Sequence, residues 1–309
     1  MKTIPMRDAY GNTLVQLGEQ NNKIVVLEAD VGGSTKSNLF GSKFPERYFN
    51  VGISELNMMA MAAGFEAGGM IPFVNTFAVF MTTRALDAIN SFIAHDNQNV
   101  KLVGTYCGLS DSYDGASHQA ITDVTIMRSL PNMTVISPCD QFEAEQAVIA
   151  SVEHKGPVYL RINRNSLPIV NSSDYRFELG KGVILREGTD LTIIASGYMV
   201  YKALEAAELL AEKSINAQVV NIHTIKPIDS ELLISCAKKT GSVLTVEEHS
   251  VYGGLGSAVA EVLSQNYPVP MHMIGVSDFA ESGDYEMLLS KYGLEKSIIC
   301  KHAELLLKK

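Results

Sequence analysis

A chain of 309 residues with 46% hydrophobic and 19% charged content has material for ample core and suits two domains better than one. Its net charge of −9 argues against a nucleic-acid backbone or an anionic membrane as partner. The cysteines, Cys107, Cys139, Cys236 and Cys300, are scattered with no C-x-x-C pair, which disfavours a zinc site and a disulfide framework.

The opening MKTIPMRDAYGNTL has no apolar signal core, and no run approaches the length of a membrane span, so a cytoplasmic protein is expected. Residues 6–20 read as a helix and KIVVLEAD (23–30) as a buried strand ending in an acid. MIPFVNTF (70–77), NVKLVGTY (99–106), MTVISP (133–138) and PVYLRINR (157–164) are further strands, separated by helices over 54–68, 78–95, 122–130 and 140–153. Strands alternating with helices imply a mostly parallel sheet covered on both faces. After a turn-rich stretch expected to contain an extended crossing, the pattern resumes at LTIIAS (191–196). It continues with a helix over 199–213, AQVVNIH (217–223), SVLTVEE (242–248), a helix after YGGLGS, and PMHMIGV (270–276). The expected fold is therefore α/β with two doubly wound domains, the second smaller, divided near residue 175.

In such sheets functional groups gather where strands end. Those ends carry Asp30, Ser54–Glu55, Thr76–Phe77, the loop 106–118 and Arg164. Glu55 opens a Met-rich, small-residue helix with almost no other charge before Glu66. A solitary acid there commonly offsets the helix dipole. An apolar helix is expected to be buried, however, and a carboxylate entering such an interface needs a partner. No base lies within the next turns, so that partner comes from elsewhere, protein or ligand. Phe77 and Phe80 share a helical face, a spacing more often core than cofactor platform. The loop TYCGLSDSYDGASHQ crowds Asp111, Asp114, Ser117, His118 and Gln119 behind a strand, with the His-Gln pair expected to open a helix. Arg164 either pairs with an acid or anchors an anion such as phosphate. YGGLGSAVAEVL only loosely resembles a phosphate cradle and reads as close packing at a helix start.

Taken in order, EAD (28–30), YFNVGISELNM (48–58), NTFAVF (75–80), DGASHQ (114–119), RSLPNMTVISPCDQFE (128–143), RINRNSLP (161–168) and EEHSVYGGLGSAVAE (247–261) resemble the transketolase family of thiamine diphosphate enzymes. The resemblance covers nearly the whole chain and points to that family's pyrimidine-binding domain, over 1–175, and its C-terminal domain, over 176–309. It implies that Glu55 hydrogen-bonds the aminopyrimidine N1′ of the cofactor and so supports proton removal from the thiazolium C2. The partner of the buried acid is then a ligand. Phe77 and Phe80 would flank the pyrimidine, and Asp30 and Val31 would lie near the thiazolium. Tyr106, Asp114, His118 and Arg164 would face the substrate, with His118 also catalytic.

Two departures qualify the resemblance. The family's diphosphate and metal motif, Gly-Asp-Gly followed by Asn, has no counterpart here, because the only Gly-Asp is Gly283–Asp284, followed by Tyr285. The expectation is therefore one half of a split transketolase. Its partner would be an N-terminal subunit that carries the diphosphate-binding domain and holds Mg2+ or Ca2+, with self-association into an α2β2 assembly. Second, Thr105-Tyr106-Cys107 stands where many transketolases have Thr-His-Asp, which questions the standard pentose-phosphate substrates while keeping an anionic sugar. Neighbouring readings are the β subunit of a 2-oxoacid dehydrogenase, a deoxyxylulose-phosphate synthase relative, and a non-catalytic thiamine diphosphate-binding regulator.

Overall fold

The computed structural model describes residues 4–172 and 174–308. Helix α1 (Met6–Gln20) leads to β1 (Ile24–Glu28), the short helices α2 (Gly32–Thr35) and α3 (Asn38–Lys43), and β2 (Tyr48–Asn50). Next come α4 (Glu55–Ala67), β3 (Ile71–Phe77), α5 (Ala78–Arg84), a single turn α6 (Leu86–Ala88) running into a π-helical stretch Ile89–Ala94, and β4 (Lys101–Thr105). The first unit ends with α7 (Asp123–Ser129), β5 (Thr134–Ile136), α8 (Gln141–Glu153) and β6 (Val158–Ile162). The second contains β7 (Val183–Arg186), β8 (Leu191–Ala195), α9 (Met199–Glu212), β9 (Ala217–Asn221), β10 (Thr224–Lys226) and α10 (Ser230–Thr240). It closes with β11 (Val243–Ser250), α11 (Leu255–Asn266), β12 (Met271–Val276), α12 (Tyr285–Lys291) and α13 (Lys296–Leu306).

The strands of the first sheet lie in the order β10-β5-β6-β4-β3-β1-β2, parallel except for β10. β1, β4 and β6 are buried along their whole length, since helices cover both faces. Tyr10 and Leu14 of α1 and Ala144 and Val148 of α8 pack into one core, while Met58 and Met59 of α4, Met81 of α5 and Met127 of α7 form another. The second sheet runs β12-β11-β8-β9-β7, with only β7 antiparallel. This is the expected α/β architecture with two doubly wound sheets, and the carboxyl ends of β1, β3, β4 and β6 carry the candidate rim residues. α8 starts on a reciprocal cap: Asp140 accepts from Glu143 N (2.9 Å) while Glu143 accepts from Cys139 N (2.7 Å).

Several expectations need correction. The single helix over 78–95 is broken after Arg84. Thr82 and Thr83 donate their hydroxyls back to the carbonyls of Ala78 and Val79, a pattern that bends helices. His118 and Gln119 do not open a helix. Both backbone N–H groups donate to Gly115 O within a turn, Ala120 then bridges Gly108, and the helix starts only at Asp123. The extended crossing contains an edge strand, β7, and the second unit returns β10 to the first sheet as an antiparallel edge.

A buried polar network joins the two units. Arg161 donates from Nε to Asp123 Oδ2 (2.8 Å) and from Nη2 to Glu248 O (2.7 Å). The Glu248 carboxylate accepts from Leu109 N (2.6 Å) and from the Tyr285 hydroxyl (2.8 Å). Gly108, at φ +59°, passes so close that a Cβ there would lie 2.5 Å from Glu248 Oε1. The second unit thereby props the loop that follows β4. Burial pushes Glu248 up to about 7, against the opposing pull of Arg161 and its hydrogen-bond donors. A carboxyl raised in the folded state stabilises fully below its ordinary value of 4.5, and that contribution is lost as pH rises through about 7. Glu248→Gln should accordingly give a flatter Tm profile than the wild type across that window. Parallel profiles in thermal melts would assign the pH dependence to other groups.

The glycine-rich turn before α11 is filled by the chain itself. Glu247 accepts from Leu255 N (2.7 Å) and Gly256 N (2.8 Å), occupying the helix start. Close packing, rather than an anion cradle, explains these glycines.

Candidate active site

β1 ends in Glu28, a buried carboxylate beneath the following turn. It accepts from Val31 N (3.1 Å), Thr35 Oγ1 (2.7 Å) and Ser37 Oγ (2.5 Å), and burial pushes it up to about 7 despite these donors. Asp30, two residues on, takes φ +62° and is gripped from both sides by Asn50 (2.9 and 3.2 Å). Tyr106, directly after β4, also has positive φ, at +58°. Such backbone is sparsely populated for residues with a Cβ, least so for Asp and most unusually for a bulky Tyr.

β3 delivers Phe77 at its last position, and α5 delivers Phe80 and Arg84. Phe77 stacks on Tyr106 with centroids 4.4 Å apart, and Phe80 lies 5.9 Å from Phe77. The His118 ring stands edge-on to Phe80 at 5.1 Å, and its Nδ1 lies 2.9 Å from Ser117 Oγ. Arg84 covers Phe80 at 3.9 Å and reaches Glu55 Oε1 at 3.2 Å. Through Arg84, the buried acid at the start of α4 and the aromatic cluster form one continuous surface.

At the other end of the cluster two guanidiniums flank Tyr106. Arg7, from the first turn of α1, lies 5.5 Å from the ring centroid and donates from Nη1 to the Tyr106 hydroxyl (2.5 Å) and to Ser34 O (3.1 Å). Arg164 lies 5.0 Å from the same ring and donates from Nη1 to Asp111 Oδ1 (3.2 Å). Asp111 is buried. Burial first, and then neighbouring Asp114, push it up to about 7, while Arg164 pulls the other way.

The predicted residues thus fall into three groups. Glu55, Phe77, Phe80, Tyr106, His118 and Arg164 join through direct or single-residue contacts. Asp114 enters beside Asp111. Asp30 and Val31 stand on the turn that leads to Ser34 and so to Arg7. Arg7 and Arg84 were missed. Neither has a local signal, since Arg7 sits in an ordinary first helical turn and Arg84 lies 29 positions from the acid it meets. The buried acid therefore already has a protein partner, so burial alone does not demand a ligand at Glu55.

The family described as "Transketolase, pyrimidine binding domain" matches residues 2–170, and "Transketolase, C-terminal domain" matches 180–299. The chain is 45% identical over 300 residues to a protein of Methanocaldococcus jannaschii named as a transketolase C-terminal section, covering 96% of this chain and 94% of that one. It is 42% identical to the 6-deoxy-6-sulfo-D-fructose transketolase subunit SqwH of Clostridium sp. (strain MSTE9), covering 96% and 93%. A split-gene transketolase, solved as an inactive beta4 tetramer, is 48% identical with a TM-score of 0.92 and 99% of both chains covered.

Proposed function

The chain belongs to the transketolase family, and from that premise we propose that it is one subunit of a two-chain thiamine diphosphate enzyme that moves a two-carbon ketol unit from an anionic ketose to an aldose. The reading divides the chain near residue 175 into a pyrimidine-binding and a C-terminal domain. The observation that carries it is the continuous path from Glu55 across Arg84 and Phe80 to a paired-arginine end at Tyr106.

The donor set suits the pyrimidine end of the cofactor. Glu55 offers an acceptor at the start of a helix, and Phe77 and Phe80 offer aromatic faces beside it. Diphosphate and metal are assigned to the partner subunit. Gly283–Asp284 serves instead as the cap of α12, where Asp284 accepts from Met287 N (3.1 Å). Among the described residues no three His, Cys, Asp or Glu side chains could hold a metal ion together. When bound, thiamine diphosphate supplies an electron sink for the transferred unit. Glu55 would hold a proton at the pyrimidine nitrogen, in exchange for part of its contact with half-exposed Arg84. Val31, on the turn braced by Glu28, would support the cofactor's bend, with Asp30 beside it. Asp114 would accept a sugar hydroxyl. Arg7, His118 and Arg164 would receive the terminal anion, and Tyr106 would donate to a donor hydroxyl from between the two arginines.

Arg164→Ala removes binding shared by ground and transition states, so KM for an anionic ketose should rise about 10- to 100-fold with kcat little changed. Tyr106→His should shift preference among ketose donors. Both are read as kcat/KM over phosphorylated, sulfonated and neutral ketoses, with the partner chain, thiamine diphosphate and magnesium present. Equal use of neutral ketoses, insensitive to the loss of Arg164, would remove the anion anchor. Absence of any ketol transfer by the complex would defeat the proposed activity.

A further inference from the structure

The guanidiniums of Arg7 and Arg164 are the cations that flank Tyr106, yet each is already engaged by this chain. Arg7 spends Nη1 on a phenol and a backbone carbonyl, neither of which carries charge. Arg164 meets a carboxyl, that of Asp111, at 3.2 Å. That acid is fully buried, whereas the arginine side chain is 34% exposed, so the anion is internal and the cation faces outward. Asp111 Oδ2 is also buried and has no hydrogen-bond partner among the described residues, so the carboxyl cannot turn to solvent for relief. Asp114 stands beside it with a second acid.

We infer that Asp111 is the resident counter-ion of Arg164 and sets this site for a ketose with a monoanionic end, such as a sulfonate, over one with a dianionic phosphate. The inference rests on the proposed ketol transfer and names the substrate class of that same site. Two arginines could neutralise a dianion by themselves. With one of them facing a buried carboxyl, and Asp114 alongside, fewer than two positive charges are left for the ligand. Burial and Asp114 push Asp111 up to about 7, so close to neutrality its carboxyl is still ionised in part. A phosphate monoester carries about −1.5 to −2 at pH 7. A sulfonate carries one charge at any such pH and offers three acceptor oxygens in the same tetrahedral arrangement. It matches the site in charge as well as shape, whereas a phosphate would place its second charge against Asp111.

The test is a calorimetric titration of the complex with its partner subunit, cofactor left out so that neither sugar turns over, with this chain as wild type or Asp111→Asn, using xylulose 5-phosphate and the 5-deoxy-5-sulfonate of the same sugar. Asparagine keeps the size of the side chain and the acceptor for Arg164 while removing its charge. The wild type should bind the sulfonate at least about tenfold more tightly. The variant should lose that preference through phosphate affinity that rises about tenfold, with sulfonate affinity changed less than about threefold. Tighter phosphate binding by the wild type would overturn the inference. So would a preference unchanged in Asp111→Asn, or no binding of either sugar, since this chain carries all the residues invoked. Ketol transfer by the complex with its partner tests the proposed activity separately, because the binding preference can stand where turnover fails.

Discussion

Glu55→Gln is expected to lower kcat by about two to four powers of ten at saturating cofactor, while melting close to the wild type. The side chain is only 6% exposed and opens α4, a strongly apolar helix. Its ion pair is with Arg84, whose side chain is 52% exposed, so losing that pair costs no more than about 1 kcal/mol. That corresponds to a shift in Tm of only a few degrees for a chain of this size. The amide keeps the shape and can still accept from Arg84, but it cannot hold a proton at the cofactor nitrogen as an acid does. Steady-state kinetics beside thermal melts separate the two effects. Near-wild-type turnover would reduce Glu55 to a helix-dipole acid paired with Arg84, and the assignment of this end of the site would fall with it.

What could be seen in the sequence depended on how local each signal was. The buried strands read directly, because IVVLE at 24–28 and VYLRI at 158–162 are apolar runs that only a sheet covered on both sides accommodates. The rim residues followed from those strand ends, and Glu55 from its isolation in an apolar helix. Arg7 and Arg84 were invisible, since each gains its meaning from a residue far off in the chain: Tyr106 for one, Glu55 for the other. The break after Arg84 was hidden in Thr82 and Thr83, whose hydroxyls act on the backbone without disturbing the apolar pattern. β10 escaped because three residues that complete another unit's sheet have no periodicity of their own. Helices α10, α12 and α13 went unassigned in a region read mainly for its strands.

Without its partner the chain is expected neither to hold thiamine diphosphate tightly nor to turn over, and we propose that α4 carries the missing contacts. The helix was expected to be buried on most sides, yet only Glu55, Met58, Met59 and Ala62 are buried within it. Its outward face carries Leu56 at 51% exposure, with exposed Ala60, Gly64 and Ala67, and Ile53 just before it is 75% exposed. A Cβ on Gly64 would meet nothing within 4 Å. A small-residue stripe with two large aliphatic side chains at its head is poorly suited to water and well suited to close approach by another helix. The same helix carries Glu55, so docking there would fix the acid and close the cofactor end of the site in one step. Coupling of assembly and cofactor binding follows from that shared element. Calorimetry with thiamine diphosphate and magnesium, on the lone chain and on the co-purified complex, measures it. Leu56→Glu should weaken assembly at least about tenfold, because it places a charge in the core of the contact, and cofactor affinity should fall with it. Tight cofactor binding by the lone chain would defeat the split-site reading. Assembly indifferent to Leu56→Glu would move the interface off α4.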